Sequence, residues 1–426
     1  MTFRNCERQA PLNTNDEAGS HPRGPRSGPH VVLLGVGYVS VWAYRALRRS
    51  LGDQVHITVV APVDAHSYHG WTGEVLSGEL PPEAQRSPIA EALPAAAHVR
   101  GWARRVDRDR RTVEVECADG ATVTVTYDHL VVGIGSTEDV SSVPGLQEHG
   151  FRLRHLGQAG ALAAHLDQCV AEAARSSYDR STSLTVVVAG GGLAGVESSI
   201  AVSQRLAAAT GAPTGSAGGP RVVLVSSRAE LAQELREGGR ELVRQALRRN
   251  GVEVLTGTRV VEVAADGVKL DDGLWIPAHT TLATVGNRVM PLPGLDDLPV
   301  DDRGRWIADR NLQVAQDVWA AGDAAVVPLK SGAPAPVDAG WAIGEGGWVG
   351  DNIARVIRGK QQKPFGFKSI GVAAGFGQRS GVLEAWGIAY RGRTAWFSRM
   401  LFFLYYMPSR EQAKRVYRML RAKSGD

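Results

Sequence analysis

The strongest constraint in this sequence is a construction that occurs twice. His30–Leu34 (HVVLL) is a short apolar run leading into Gly35-Val36-Gly37-Tyr38-Val39-Ser40 and then a helical pattern carrying Trp42, Ala43, Ala46 and Leu47. Leu184–Val188 (LTVVV) leads in the same way into Gly190-Gly191-Gly192-Leu193-Ala194-Gly195-Val196-Glu197 and a helix of small and apolar residues through Leu206. A glycine-rich turn between strand and helix lets the backbone approach a pyrophosphate and points free N–H groups and the positive helix end at it. Two such units predict two nucleotide sites. Each is followed by a second apolar run, His56–Val60 and Arg221–Val225, at the spacing of a βαβ unit. Tyr127–Gly135, Thr281–Gly286 and Val318–Asp323 read as strand ends opening on a ligand crevice.

The order of these cues predicts an α/β chain with two Rossmann-like dinucleotide-binding domains, one inserted in the other. One domain is split over 30–155 and 290–375, the second occupies 156–289, and 376–426 forms a C-terminal module with an amphipathic helix. Residues 1–29, polar and rich in Pro, Gly, Asn and Arg, read as a disordered arm without a signal-peptide core. A length of 426 residues suffices for separate cores. The three cysteines, Cys6, Cys117 and Cys169, are far apart and form no C-x-x-C, which excludes a zinc site or redox-active disulfide loop and fits a cytoplasmic protein. No metal site is expected.

At the strand ends the residues divide the two sites. The first second-strand ends without an acid, and Asp64 comes late for a ribose contact; the other ends Val225-Ser226-Ser227-Arg228. A hydroxyl and a guanidinium where a carboxylate is usual favour a 2′-phosphate, hence NADPH over NADH. The other reading is a solvated Arg228 and a site that takes either nucleotide or none. Gly322-Asp323 offers a carboxylate after a glycine, able to accept from ribityl hydroxyls. Glu197, just inside the second helix, either supports that helix N-terminus or takes part in proton or nicotinamide chemistry.

These motifs resemble the two-dinucleotide-domain flavoproteins, the pyridine-nucleotide:disulfide-reductase-like group, over Pro29 to Lys423. Within it the chain is most similar to type II NADH:quinone dehydrogenases, because Lys363-Pro-Phe-Gly-Phe-Lys-Ser-Ile-Gly and Gly387-Ile-Ala-Tyr-Arg-Gly-Arg-Thr-Ala-Trp396 mirror their C-terminal segment. The resemblance implies FAD on Gly35, Gly37, Tyr38, Val39, Ser40, Gly133, Gly135, Gly322 and Asp323. It implies NAD(P)H on Gly190, Gly192, Leu193, Ala194, Gly195, Ser226, Arg228 and Gly286, with Glu197 as the catalytic candidate. Hydride would pass from NAD(P)H to flavin and on to a quinone or quinone-like acceptor. The family's Ala-Gln-x-Ala-x-Gln-Gln stretch reads here Ala339-Gly340-Trp341-Ala342-Ile343-Gly344-Glu345, so Gly340 and Gly344 are expected to open a pocket beside Trp341. His69 and Trp71 are further pocket candidates, against the alternatives of a surface histidine and a packed aromatic. Two other readings stand beside this one: a soluble flavoprotein oxidoreductase acting on a specialised metabolite, and a degenerate non-catalytic flavoprotein serving as a binding or regulatory subunit.

Charge is concentrated at the end of the chain, with nine Lys/Arg against two acids from Ile388 to Asp426. No body-wide basic stripe or nucleic-acid motif is present, and a nucleic-acid partner is not expected. Trp396, Phe397, Leu401, Phe402, Phe403, Tyr405 and Tyr406 are followed by Lys414, Arg415, Arg418 and Arg421. Aromatic and basic residues so interleaved fit the headgroup region of an anionic membrane, peripherally on the inner face. Packing on the body or a homodimer contact is the alternative.

Overall fold

A computed structural model describes residues 28–175, 180–369, 371–377, 379–385 and 388–422. The arm expected over 1–29 lies outside the described residues except for its last two. Strand β1 (His30–Leu34) is buried at all five positions, as a strand covered on both faces must be. It is followed by α1 (Tyr38–Leu51), β2 (His56–Ala61), the short α2 (Thr72–Ser77), β3 (Ala97–Asp107), β4 (Thr112–Cys117), β5 (Thr122–Thr126) and β6 (His129–Val132). The chain then forms β7 (Gly150–Phe151), α3 (Gln158–Arg175), β8 (Thr185–Ala189), α4 (Leu193–Thr210), β9 (Arg221–Ser226), α5 (Glu237–Arg249), β10 (Glu253–Thr256) and β11 (Thr280–Ala283). It returns through β12 (Gln313–Ala315), β13 (Val318–Ala320) and α6 (Ala339–Ile357). The final elements are β14 (Gly371–Gly375), β15 (Gly381–Ala385), β16 (Ile388–Arg391), α7 (Gly392–Tyr406) and α8 (Arg410–Ala422).

The first sheet has the order β12-β13-β6-β1-β2-β3-β4-β5. Its strands from β13 to β3 are parallel, and the outer pairs are antiparallel. The second sheet, β7-β11-β8-β9-β10, is parallel throughout. From β1 in the first sheet and from β8 in the second, the chain runs outward and then crosses to the other side. That reversal leaves a crevice beyond the C-terminal end of β1 and of β8, where the two glycine turns lie. Because β13 pairs with β6, residues that follow the whole second unit complete the first sheet.

Close helix contact holds the first unit together. A Cβ on Gly346 of α6 would lie 2.5 Å from the Val39 carbonyl, and one on Gly350 would lie 2.5 Å from that of Ala43. Only glycine lets α6 settle this near α1. The C-terminal hairpin is anchored as firmly. Ser409 caps α8 by accepting the Gln412 N–H at 2.9 Å, Gln412 Nε2 donates to the Glu83 carbonyl at 2.6 Å, and Arg45 Nη2 donates to that of Pro408 at 2.7 Å. Ala395, Arg399 and Met400 of α7 are buried, while Phe397, Leu401 and Tyr405, on the opposite stripe, are at least half exposed. No helix among the described residues is long and apolar enough to cross a membrane.

Candidate functional site

At the first crevice Gly35 has φ +84°, and a Cβ there would approach the Gly133 carbonyl to 2.6 Å. Gly37 opens α1 with no side-chain cap, so the first-turn N–H groups remain available to an anion. Ser40 is buried, and a Cβ on Gly133 would meet its Oγ at 2.7 Å. Its role is helix–strand packing, the role expected of the third position of the motif. Gly322-Asp323 follows β13 directly. Asp323 Oδ2 accepts from Ser136 Oγ at 2.9 Å and from Arg154 Nη1, and Gly135 beside Ser136 leaves the backbone open. Arg154 is itself placed by Glu138, whose Oε1 accepts the Leu153 and Arg154 N–H groups at 3.0 and 3.1 Å. The Gly322 N–H donates to Glu345 Oε2 at 2.5 Å. Burial pushes the Glu345 carboxyl up to about 8, with Asp323 and Asp338 nearby adding to the effect and the Gly322 bond opposing it.

An aromatic wall closes this crevice. The ring of Tyr38 lies edge-on to His66 and Tyr68, at centroid distances of 4.7 and 6.0 Å. His66 Nδ1 donates to the Val36 carbonyl inside the glycine turn at 2.8 Å, and its buried Nε2 has no partner. Burial holds His66 down to about 3 and His69 down to about 4; for His69 the Arg154 charge adds to the effect of burial. Both rings are therefore neutral.

The second crevice repeats the plan. Gly190 has φ +126°, a Cβ on Gly195 would lie 1.9 Å from the Gly190 carbonyl, and Gly192 opens α4 without a side-chain cap. Thr284 Oγ1 ties the turn by donating to the Ala189 and Gly190 carbonyls at 3.0 Å each. Leu193 N–H and Glu234 Oε1 are 3.4 Å apart, Ala194 is exposed in the opening turn, and the Gly286 carbonyl accepts the Asp139 N–H at 2.8 Å. Both crevices thus offer what a dinucleotide needs: backbone that a Cβ would block, beside helix N–H groups that no Ncap side chain covers, the Leu193 N–H of α4 facing Glu234.

Between the crevices α2 packs on α4, and α7 inserts Arg399. Its guanidinium donates to Glu74 at 2.5 Å and to the Gly70 carbonyl at 3.0 Å, and it stands 3.6 Å from Glu197. Glu197 Oε1 accepts the Gly375 N–H at 2.6 Å. Burial raises the Glu197 carboxyl, opposed by Arg399 and the Gly375 bond. A small cavity is lined by Gly73, Glu74, Ser77, Glu197, Gly375 and Arg399.

The expected pocket needs correction at several positions. Gly344 does not open space: a Cβ there would fall 2.5 Å from the ring of Phe367, which packs at 5.5 Å on Trp341. Only Gly340 remains open, with Asp338 Oδ1 as its one near neighbour. Trp71 is a packed aromatic, 1% exposed, with its Nε1 donating to Met407 Sδ at 3.4 Å and its ring edge-on to Phe403. His69 is not a surface histidine, since it lies beside Asp323 and Arg154. Glu197 turns to β14 and Arg399 rather than back to its helix N-terminus, and Asp64 is ion-paired with Arg86 at 2.9 Å. Arg154 and Arg399 carried no sequence signal of a place in the site, whereas Thr284 lay inside the strand-end cue Thr281–Gly286. Glu345 lay inside the altered stretch, where an acid in place of an amide was the available clue.

The family model for pyridine nucleotide-disulphide oxidoreductases matches residues 29–345. A NADH dehydrogenase-like protein of Mycobacterium tuberculosis is 32% identical over 311 residues, 70% of this chain and 73% of its own. The demethylphylloquinone reductase of Synechocystis is 27% identical, covering 89% of this chain and 93% of its own. The solved structure of NDH2 from Plasmodium falciparum with NADH superposes with a TM-score of 0.84 at 12% identity, over 94% of this chain and 98% of that one. Two glycine cradles at two doubly wound sheets, matched along most of the chain, place it by descent as well as by geometry: the chain belongs to the pyridine nucleotide-disulphide oxidoreductase family.

Proposed function

We propose that this protein is an FAD-dependent NAD(P)H:quinone reductase, taking hydride from a nicotinamide nucleotide and delivering two electrons to a quinone or quinone-like acceptor. The observation that carries this reading is the meeting of α2, from the first crevice, and α4, from the second, around Glu74, Arg399 and Glu197. When bound, FAD supplies the two-electron chemistry that links a nicotinamide donor to such an acceptor. The chain's own residues bind and orient. Asp323 accepts from the cofactor's hydroxyl chain, Arg154 offsets the negative charge there, and the first turns of α1 and α4 receive the two pyrophosphates.

Reducing a quinone consumes two protons with its two electrons. Glu197, lifted by burial and held at Oε1 by Gly375, is the carboxyl suited to carry a proton at Oε2. The names of the Mycobacterium and Synechocystis relatives support this reading. The exposed stripe Phe397, Leu401, Tyr405 and the exposed cations Lys414, Arg418 and Arg421 support peripheral attachment to an anionic bilayer, where lipid-soluble acceptors reside.

The test is an anaerobic titration of the purified yellow protein with NADH and, separately, NADPH, followed by addition of a menaquinone analogue. Bleaching by nucleotide and recovery of colour on adding the quinone is the expected outcome. Flavin that neither nucleotide bleaches would sink the proposal.

A further inference from the structure

The end of β9 carries an arrangement that bears on which nucleotide the second crevice takes. Ser226, its last residue, lies under the glycine turn, where a Cβ on Gly191 would come within 2.5 Å of its Oγ. Its hydroxyl is already committed. Ser226 Oγ accepts the Arg228 N–H at 3.2 Å and lies 3.1 Å from the Arg228 carbonyl. The loop after β10 clamps the same turn, with Gly257 N–H donating to the Arg228 carbonyl at 3.3 Å and Thr258 N–H to that of Ser226 at 3.2 Å. The backbone of Arg228 is therefore fixed while its side chain is exposed.

That guanidinium has a neutral partner: Nη1 donates to Gln233 Oε1 at 2.8 Å. Among the described residues no carboxylate stands within ion-pair distance of it. The nearest acid along the chain, Glu230, is occupied by Arg240 at 3.1 Å. Gln233 thus orients the side chain without neutralising it, leaving most of the five donors of a guanidinium for an incoming anion. A site for NADH needs an acceptor at this place to take the ribose hydroxyls, commonly a carboxylate. Here there is a spent hydroxyl and an uncompensated cation, which suits a phosphate on the 2′-oxygen and lacks the carboxylate that a bare ribose commonly uses.

We infer that the second crevice selects NADPH, with Arg228 as the residue that meets the 2′-phosphate. This rests on the proposed function and names its electron donor. Because Arg228 is exposed and its replacement leaves no buried group unpaired, Arg228→Ala is expected to fold.

The first measurement is calorimetric titration of the FAD-loaded protein with adenosine 2′,5′-bisphosphate and with 5′-AMP. The bisphosphate should bind about 10- to 100-fold more tightly, the range of one charge-assisted contact. That ratio should fall toward one in Arg228→Ala and be partly restored in Arg228→Lys. The second measurement is the NADPH to NADH ratio of kcat/KM for flavin reduction, which should favour NADPH and collapse in Arg228→Ala. Equal binding of the two adenosine probes, or a ratio that Arg228→Ala leaves unchanged, overturns the inference. Flavin reduced equally well by both nucleotides overturns it while leaving the proposed function standing. Flavin reduced by neither overturns both.

Discussion

Asp323 is held by Ser136 and Arg154 at the end of β13, and under the proposed function its replacement removes the carboxylate that would accept from the cofactor's hydroxyl chain. Asp323→Ala should therefore lose flavin on purification, with absorbance per protein falling at least about fivefold, the scale of one charge-assisted hydrogen bond. Normal flavin content would refute this role. Glu345 makes a second prediction at this scale. Its carboxyl is raised from 4.5 to about 8 in the folded protein, so folding retains a proton that the unfolded chain releases. The stability so contributed is complete below the unfolded value and is lost as pH rises toward about 8. Glu345→Gln keeps an acceptor for the Gly322 N–H and has nothing to ionise. Its melting temperature should rise relative to the natural protein between pH 5 and 8, then run parallel above that. A constant offset across the range would show that Glu345 does not titrate.

Two helices carry the predictions at the next scale. Gly350→Leu on α6 would place a side chain where the Ala43 carbonyl lies 2.5 Å from Cβ alone. Overpacking of this kind costs about 1–3 kcal/mol, so the denaturation midpoint should drop, whereas Gly347→Ala, with no neighbour at its Cβ, should not lower it. On α7, changing Phe397, Leu401 and Tyr405 together to Glu puts three charges on the exposed stripe without touching Arg399 or Met400. Co-sedimentation with phosphatidylglycerol vesicles should be lost and flavin content kept. Unchanged sedimentation, or a dimer that the triple variant dissociates, would assign the stripe to another contact.

The glycine turns were legible because strand, turn and helix occupy consecutive residues and each leaves a local pattern. Arg154 meets Asp323 across 169 residues, and Arg399 meets Glu74 across 325. No periodicity records such a contact. Gly344 was misread for the same reason, since the ring that fills its place belongs to Phe367, beyond the end of the helix. Of the two readings of Trp71 the packed aromatic is the one found, and the residues that bury it, Phe403 and Met407, lie more than three hundred positions later.

At the scale of the whole molecule the C-terminal module is a bridge rather than an appendage. Arg399 is 5% exposed and joins Glu74 of the first unit to Glu197 of the second. Removing one member of a buried ion pair costs about 3–5 kcal/mol, because the charge left behind has no partner. A chain built from two nucleotide folds would ordinarily absorb heat in two steps, each unit melting on its own. With α2 packed on α4 in one apolar cluster and a cation shared across that contact, the intact protein should show one calorimetric transition whose van't Hoff and calorimetric enthalpies agree. Arg399→Met should separate it into two. The C-terminal module would then decide whether this enzyme unfolds as one cooperative body or as a pair of neighbours.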